Sequence, residues 1–203
     1  MKRIDIIASL VIGEAAAFLM IAIGRNLSLP RGPASLLPFL PFIFPFFTLA
    51  VMAVGSALAR RLAVAYQLSK FFLVGGLNFL IDLGVLNFLI YLTDITAGFY
   101  AAVFKGLAFL VAMVSSFLWN KFWTFRALSV AQVGLQFAEF FAVTVVGFFI
   151  NVGAFVLVND WVGPPVSIPA KAWASIAAGS AAVIGLLWNF LGYKFFVFRK
   201  PQR

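Results

Sequence analysis

Residues 70–92 read KFFLVGGLNFLIDLGVLNFLIYL, with Asp82 the one charged side chain between Lys70 and the end of the run. An apolar helix of about 20 residues, rising about 1.5 Å per residue, crosses a hydrocarbon core of about 30 Å. The stretch therefore reads as a membrane-spanning helix, and Asp82 falls midway along it. A charged residue near the centre of such a helix costs about 2.5–3.5 kcal/mol on insertion scales, so its presence needs a reason.

The rest of the chain has the same character. Of its 203 residues, 64% are hydrophobic and 10% charged, against about 25% charged in soluble domains. Apolar runs near 4–24, 37–59, 98–120, 135–158 and 170–192 join residues 70–92 to give six predicted spans, an all-α polytopic membrane protein. The first run follows Met1-Lys2-Arg3 as a signal peptide would. Its length, and the lack of a small-residue cleavage site before Arg25, favour an uncleaved helix. The second opens LLPFLPFIFPFF, with Pro38, Pro41 and Pro45 near one face. The lost backbone donors predict a kinked or irregular start, serving either packing or gating. No segment between the runs is long enough for a soluble core, which excludes an appended catalytic or nucleic-acid-binding domain.

Fifteen Lys and Arg against six Asp and Glu give a net charge of +9. The cations sit at the ends of apolar runs, so orientation in the membrane accounts for them better than nucleic acid does. Lys2, Arg3, Arg60, Arg61, Lys70, Lys121, Arg126, Lys194, Arg199, Lys200 and Arg203 fall on one side, and Arg25, Arg31 and Lys171 on the other. Both termini are expected in the cytoplasm, in a multi-pass protein of the inner or plasma membrane. With neither Cys nor His, thiolate chemistry, imidazole bases and Cys or His metal sites are excluded, and no cofactor or metal is expected. The chain has no GxxxxGK[ST] phosphate loop, so movement of a substrate would run downhill or with an ion gradient.

Two stretches repeat. FFLVGGLNFLIDLG at 71–84 aligns with FFAVTVVGFFINVG at 140–153, and SFLWNKFWTFR at 116–126 with NFLGYKFFVFR at 189–199. The first pairing has an offset of 69, which also superposes Trp119-Asn120 on Trp188-Asn189, and the second has an offset of 73. The difference is about one helical turn, so the last helix is expected to run one turn longer before its basic end. Two crossings per copy leave the copies in the same orientation. The last four helices thus read as a parallel duplication of a two-helix hairpin, unlike an inverted transporter repeat.

At these residues the chain resembles the GtrA-like family of small polytopic membrane proteins, through KFFLVGGLNFLIDLGVL at 70–86, AVFKGLAFLVAMVSSFLWNKFWTF at 102–125 and the closing NFLGYKFFVFR. The resemblance divides the chain into a GtrA-like four-helix domain at 68–200 and an additional two-helix hairpin at 1–67. It implies the handling of a polyprenyl-phosphate or polyprenyl-phosphoryl sugar lipid in cell-surface polysaccharide synthesis or modification. Similar helices anchor some polyprenyl-phosphate glycosyltransferases, so a glycosyltransferase partner is compatible with it, as is a homo-oligomer.

Lys105 lies about a third of the way into its span from the outer side, at a depth comparable to Asp82. The two residues either form a structural ion pair or make a phosphate-binding cation with a displaceable partner. Asn78, one turn before Asp82, would share its face and offer an amide to sugar hydroxyls. In the second copy Asn151 and Gly147 replace Asp82 and Asn78. Lys121 and Lys194, with Asn120 and Asn189 nearby, either anchor helix ends at the aromatic boundary or capture a lipid phosphate there. Glu14 lies beside Ala15, Ala16 and Ala17, and reads as a protonated interhelical hydrogen-bonding residue or as a proton-coupling site. The first expectation is a non-enzymatic flippase or carrier. A membrane anchor for a glycosyltransferase and a small proton-coupled exporter are the other readings.

Overall fold

The computed structural model describes residues 1–26, 31–163 and 170–199. Lys200 and Arg203 lie outside them, as do the side chains of Arg31 and Lys171. The described residues form helices joined by short turns, with no strand among them: α1 (Arg3–Asn26), α2 (Arg31–Leu36), α3 (Leu40–Leu58), α4 (Ala65–Thr93), α5 (Gly98–Trp119), α6 (Val133–Val156) and α7 (Ala170–Gly192). Six spans among them are long and apolar enough to cross a bilayer, with Ala34–Leu58 running from α2 through a 3₁₀ turn at Leu37–Phe39 into α3. That irregular start coincides with Pro38 and Pro41, whose rings leave two backbone acceptors without intrahelical donors.

The chain forms two compact units, divided after Arg126. The N-terminal helices thus fold with the first hairpin of the resemblance, and the 1–67 and 68–200 division drawn from sequence is a different partition from the packing one.

In the first unit α1 packs on α3 along a seam of small residues. Ser9, Ile12, Gly13, Ala16 and Ala17 are buried there. Thr48 reaches the carbonyl oxygens of Ser9 and Pro45 at 2.8 and 2.9 Å. Its hydroxyl thus ties the proline-containing helix to its neighbour where water is absent. Ala8, Ile12, Met52, Leu73, Val74, Leu77 and Trp123 form the core beneath. Asp94, with φ of 56°, ends α4 in the left-handed region and donates its N–H to the Ile90 carbonyl at 2.7 Å. A short polar side chain tolerates that conformation.

The second unit is the α6/α7 hairpin. Close approach is set by glycines: a Cβ at Gly147 would lie 2.3 Å from Asn189 Oδ1, and one at Gly192 would lie 2.4 Å from Val143 Cγ1. Trp188 Nε1 donates to the Val143 carbonyl at 3.1 Å.

Both hairpins end alike. The π turn Asn120–Thr124 closes α5 and the π turn Tyr193–Val197 closes α7, with Phe125 N–H on the Asn120 carbonyl and Phe198 N–H on the Tyr193 carbonyl, each at 2.8 Å. Phe71 and Phe125 lie 6.4 Å apart between ring centroids, and so do Phe140 and Phe198. These are the residues that the two sequence offsets equate. Measured from Trp119 and Trp188, the last helix continues four residues further than α5 before it closes at Val197.

Candidate functional site

Charged and amide side chains collect at two levels of the first unit. At the intramembrane level Lys105 of α5 donates to Asp82 of α4, so the two expected partners are in contact. The pair is asymmetric, because the Lys105 side chain is 51% exposed and that of Asp82 18%. The ammonium can therefore meet an incoming group while the carboxylate stays against the protein. The second Asp82 oxygen is buried without a hydrogen-bond partner. Asn78, a turn away, is buried and spends its amide N–H on the Val74 carbonyl at 2.7 Å, which leaves its own Oδ1 unpartnered. Two unsatisfied acceptors a helical turn apart suit a ligand that brings donors, such as a hydroxylated headgroup.

The second level lies where α1 and α4 begin and α5 ends. Asp5 is fully buried, and Lys70 Nζ, Trp123 Nε1 and an Arg126 guanidinium nitrogen lie 2.5, 3.0 and 3.1 Å from its Oδ1. The Tyr66 hydroxyl donates to Oδ2 at 3.0 Å. Lys70 also lies 4.9 and 5.3 Å from the centroids of the Tyr66 and Trp123 rings, which gives the ammonium two cation–π partners. The π turn at Asn120–Thr124 presents Trp123 to this cluster, and Arg126, with φ of 53°, turns the chain out of the helix. Asn120 and Lys121 of the same turn are buried, and Asn120 Oδ1 and Thr124 Oγ1 are buried without partners.

The sequence reading did not single out Asp5, Tyr66 or Lys70 as site residues. Lys70 and Arg126 entered it only as orientation charges. The available signal was a lone acid, Asp5, in the first turn of a span that otherwise begins with Lys2 and Arg3.

The remaining candidates are dispersed. Asn151 lies against Gly185, and Asn189 fills the space left by Gly147, with its Oδ1 buried and unpartnered. Lys194 lies 5.6 Å from the Phe190 and Phe195 ring centroids, the arrangement of a cation anchored in an aromatic belt. Glu139 faces Arg199 at 4.0 Å. Glu14 is half-buried and forms no hydrogen bond or ion pair with another described residue. It follows Gly13 by about 100° of helical rotation, which turns it off the seam where α1 meets α3.

At the far end of the first unit, Ala22, Ile23, Arg25, Asn26, Gly84, Asn87, Phe88 and Tyr91 line a cleft of about 390 Å³. Asn26 and Asn87 bond across it at 3.1 Å.

Against known families, the model described as GtrA/DPMS, transmembrane domain, matches residues 70–198. No curated protein and no solved structure matches the chain.

Proposed function

Because the chain belongs to the GtrA/DPMS transmembrane-domain family, we propose that it carries the headgroup of a polyprenyl-phosphate or polyprenyl-phosphoryl sugar lipid across the bilayer. The Lys105–Asp82 pair carries this reading. A half-exposed ammonium held inside the membrane by a displaceable carboxylate can exchange that partner for a phosphate as the headgroup passes, while the isoprenoid tail stays in lipid. Lys neutralises phosphate as a point charge, without the fixed geometry Arg requires, which suits a ligand that must leave again. The unpaired acceptors of Asn78 and Asp82 meet the sugar hydroxyls. The step is translocation, with no bond made or broken in the lipid. The two hairpins are read as copies of one ancestral unit, of which only the first keeps the charged pair.

In liposomes, the purified protein is expected to accelerate crossing of a labelled polyprenyl-phosphoryl sugar, and Lys105→Ala to abolish the acceleration. If no such lipid crosses faster, transport is rejected in favour of a membrane anchor for a separate glycosyltransferase, which co-purification would identify.

A further inference from the structure

The charges around Asp5 do not balance within the cluster. Two cations, an indole N–H and a phenol converge on it, so a single negative charge is enclosed by two positive ones. A phosphomonoester carries about −1.5 to −2 at neutral pH on three acceptor oxygens, which balances two cations more closely than the single charge of a carboxylate does.

The acceptor also lies on a different stretch of chain from most of its donors. Lys70, Trp123 and Arg126 lie within residues 70–198, which the family model matches, whereas Asp5 lies in the helix outside that span. Without Asp5, Lys70 and Arg126 would face each other across the space its carboxylate fills. The cluster stands at the ends of three spans, and the Arg126 side chain is 37% exposed, so its rim is open. Thr124, in the same turn as Trp123, keeps a buried hydroxyl without a partner, a further donor in reserve.

We propose that Lys70, Arg126, Trp123 and Tyr66 form a binding site for the phosphate of a lipid phosphomonoester, and that Asp5 is a tethered occupant which the phosphate displaces. The proposal deepens the lipid-phosphate reading and rests on it for the class of lipid. It makes α1 a regulator of access: loading requires the start of that helix to give up its carboxylate anchor.

The test is binding of a polyprenyl phosphate to the full chain in nanodiscs, with inorganic phosphate as a separate probe, read by tryptophan fluorescence against a Trp123→Phe control. Asp5→Asn is expected to bind the lipid at least tenfold more tightly than the wild type, and Lys70→Ala in that background to remove the gain. Arg126→Gln in the otherwise native chain is expected to weaken lipid binding at least tenfold, which keeps a test available if Asp5→Asn fails to fold. Unchanged lipid affinity in folded Asp5→Asn or in Arg126→Gln overturns the proposal and leaves Asp5 a structural strut. A gain for inorganic phosphate alone also overturns it, by making the site one for a soluble anion. Because no transport is measured, loss of Lys105-dependent crossing would leave this result standing. Intact crossing without binding here would reject only this site.

Discussion

Gly13 of α1 lies so close to Pro45 of α3 that a Cβ added to it would stand 2.6 Å from the Pro45 Cα. The obstacle is backbone, fixed in place by the proline ring, so it cannot swing away as a side-chain terminus would. Gly13→Val is therefore expected to destabilise the first unit by about 1–3 kcal/mol, the usual cost of overpacking. Gly75→Ala in α4 is the control, since nothing lies within 4 Å of its added Cβ. It should leave stability unchanged or raise it by up to about 1 kcal/mol through helix propensity. Thermal unfolding of both variants in detergent checks the contrast, and an equal loss in the two would refute it.

Asp5 and Lys70 are both buried, at 0% and 3% exposure. Removing one member of such a pair strands the other charge, at a cost of about 3–5 kcal/mol, whereas replacing both with apolar residues of similar volume is often neutral. Asp5→Leu is therefore expected to lower the unfolding midpoint sharply, because it strands the Lys70 ammonium, and adding Lys70→Met to recover much of the loss. Arg126, which also bonds Asp5, limits the recovery because it loses its partner too. Additive losses in the double variant would show that the two side chains act independently.

The six spans could be read from the sequence because hydrophobic length is a local property of each run. The contact between Asp82 and Lys105 was also foreseeable. Consecutive antiparallel helices put residues at equal depth side by side, and an isolated charge in hydrocarbon needs a partner. The Asp5 cluster could not be read in the same way. Its members lie between 61 and 121 positions from Asp5, and each alone resembles an ordinary charge or aromatic at a helix end. The π turns were equally hidden. The repeated segments revealed that the two helices end with similar sequences, but the added i→i+5 turn carries no hydrophobic period of its own. It is that turn which presents Trp123 to Asp5.

Tyr193 stacks on Phe140 in the second unit, with centroids 4.2 Å apart and ring planes at 22°. Its hydroxyl lies 2.7 Å from that of Thr144. Thr144 donates its own proton to the Phe140 carbonyl, so Tyr193 is the donor between the two hydroxyls. Tyr193→Phe removes the hydrogen bond to Thr144 and keeps the stack, and is expected to cost about 0.5–1.5 kcal/mol. Tyr193→Ala also deletes the buried ring, raising the cost to about 3–5 kcal/mol. Denaturation of the two variants separates the contributions. Equal losses would mean that the hydroxyl, and not the ring, holds this end of the hairpin.

The placement of the cations predicts a membrane orientation with both termini in the cytoplasm. Lys2, Arg3, Arg60, Arg61 and Arg126 lie at helix ends of the first unit that successive crossings are expected to bring to one side, with Arg25 at the opposite end of α1. A bias of this size in the connections sets orientation by retaining Lys and Arg in the cytoplasm. The native chain has no cysteine, so single-cysteine variants report accessibility without background. In intact cells, Thr93→Cys and Val162→Cys, at the distal ends of α4 and of the π turn Leu157–Val162 that follows α6, are expected to react with a membrane-impermeant maleimide. Leu62→Cys and Ser129→Cys are expected to react only after permeabilisation. The reverse pattern would put the N-terminus and the Asp5 cluster on the outer side of the membrane. Labelling of Leu62→Cys and Ser129→Cys from opposite sides would refute the even number of crossings between them.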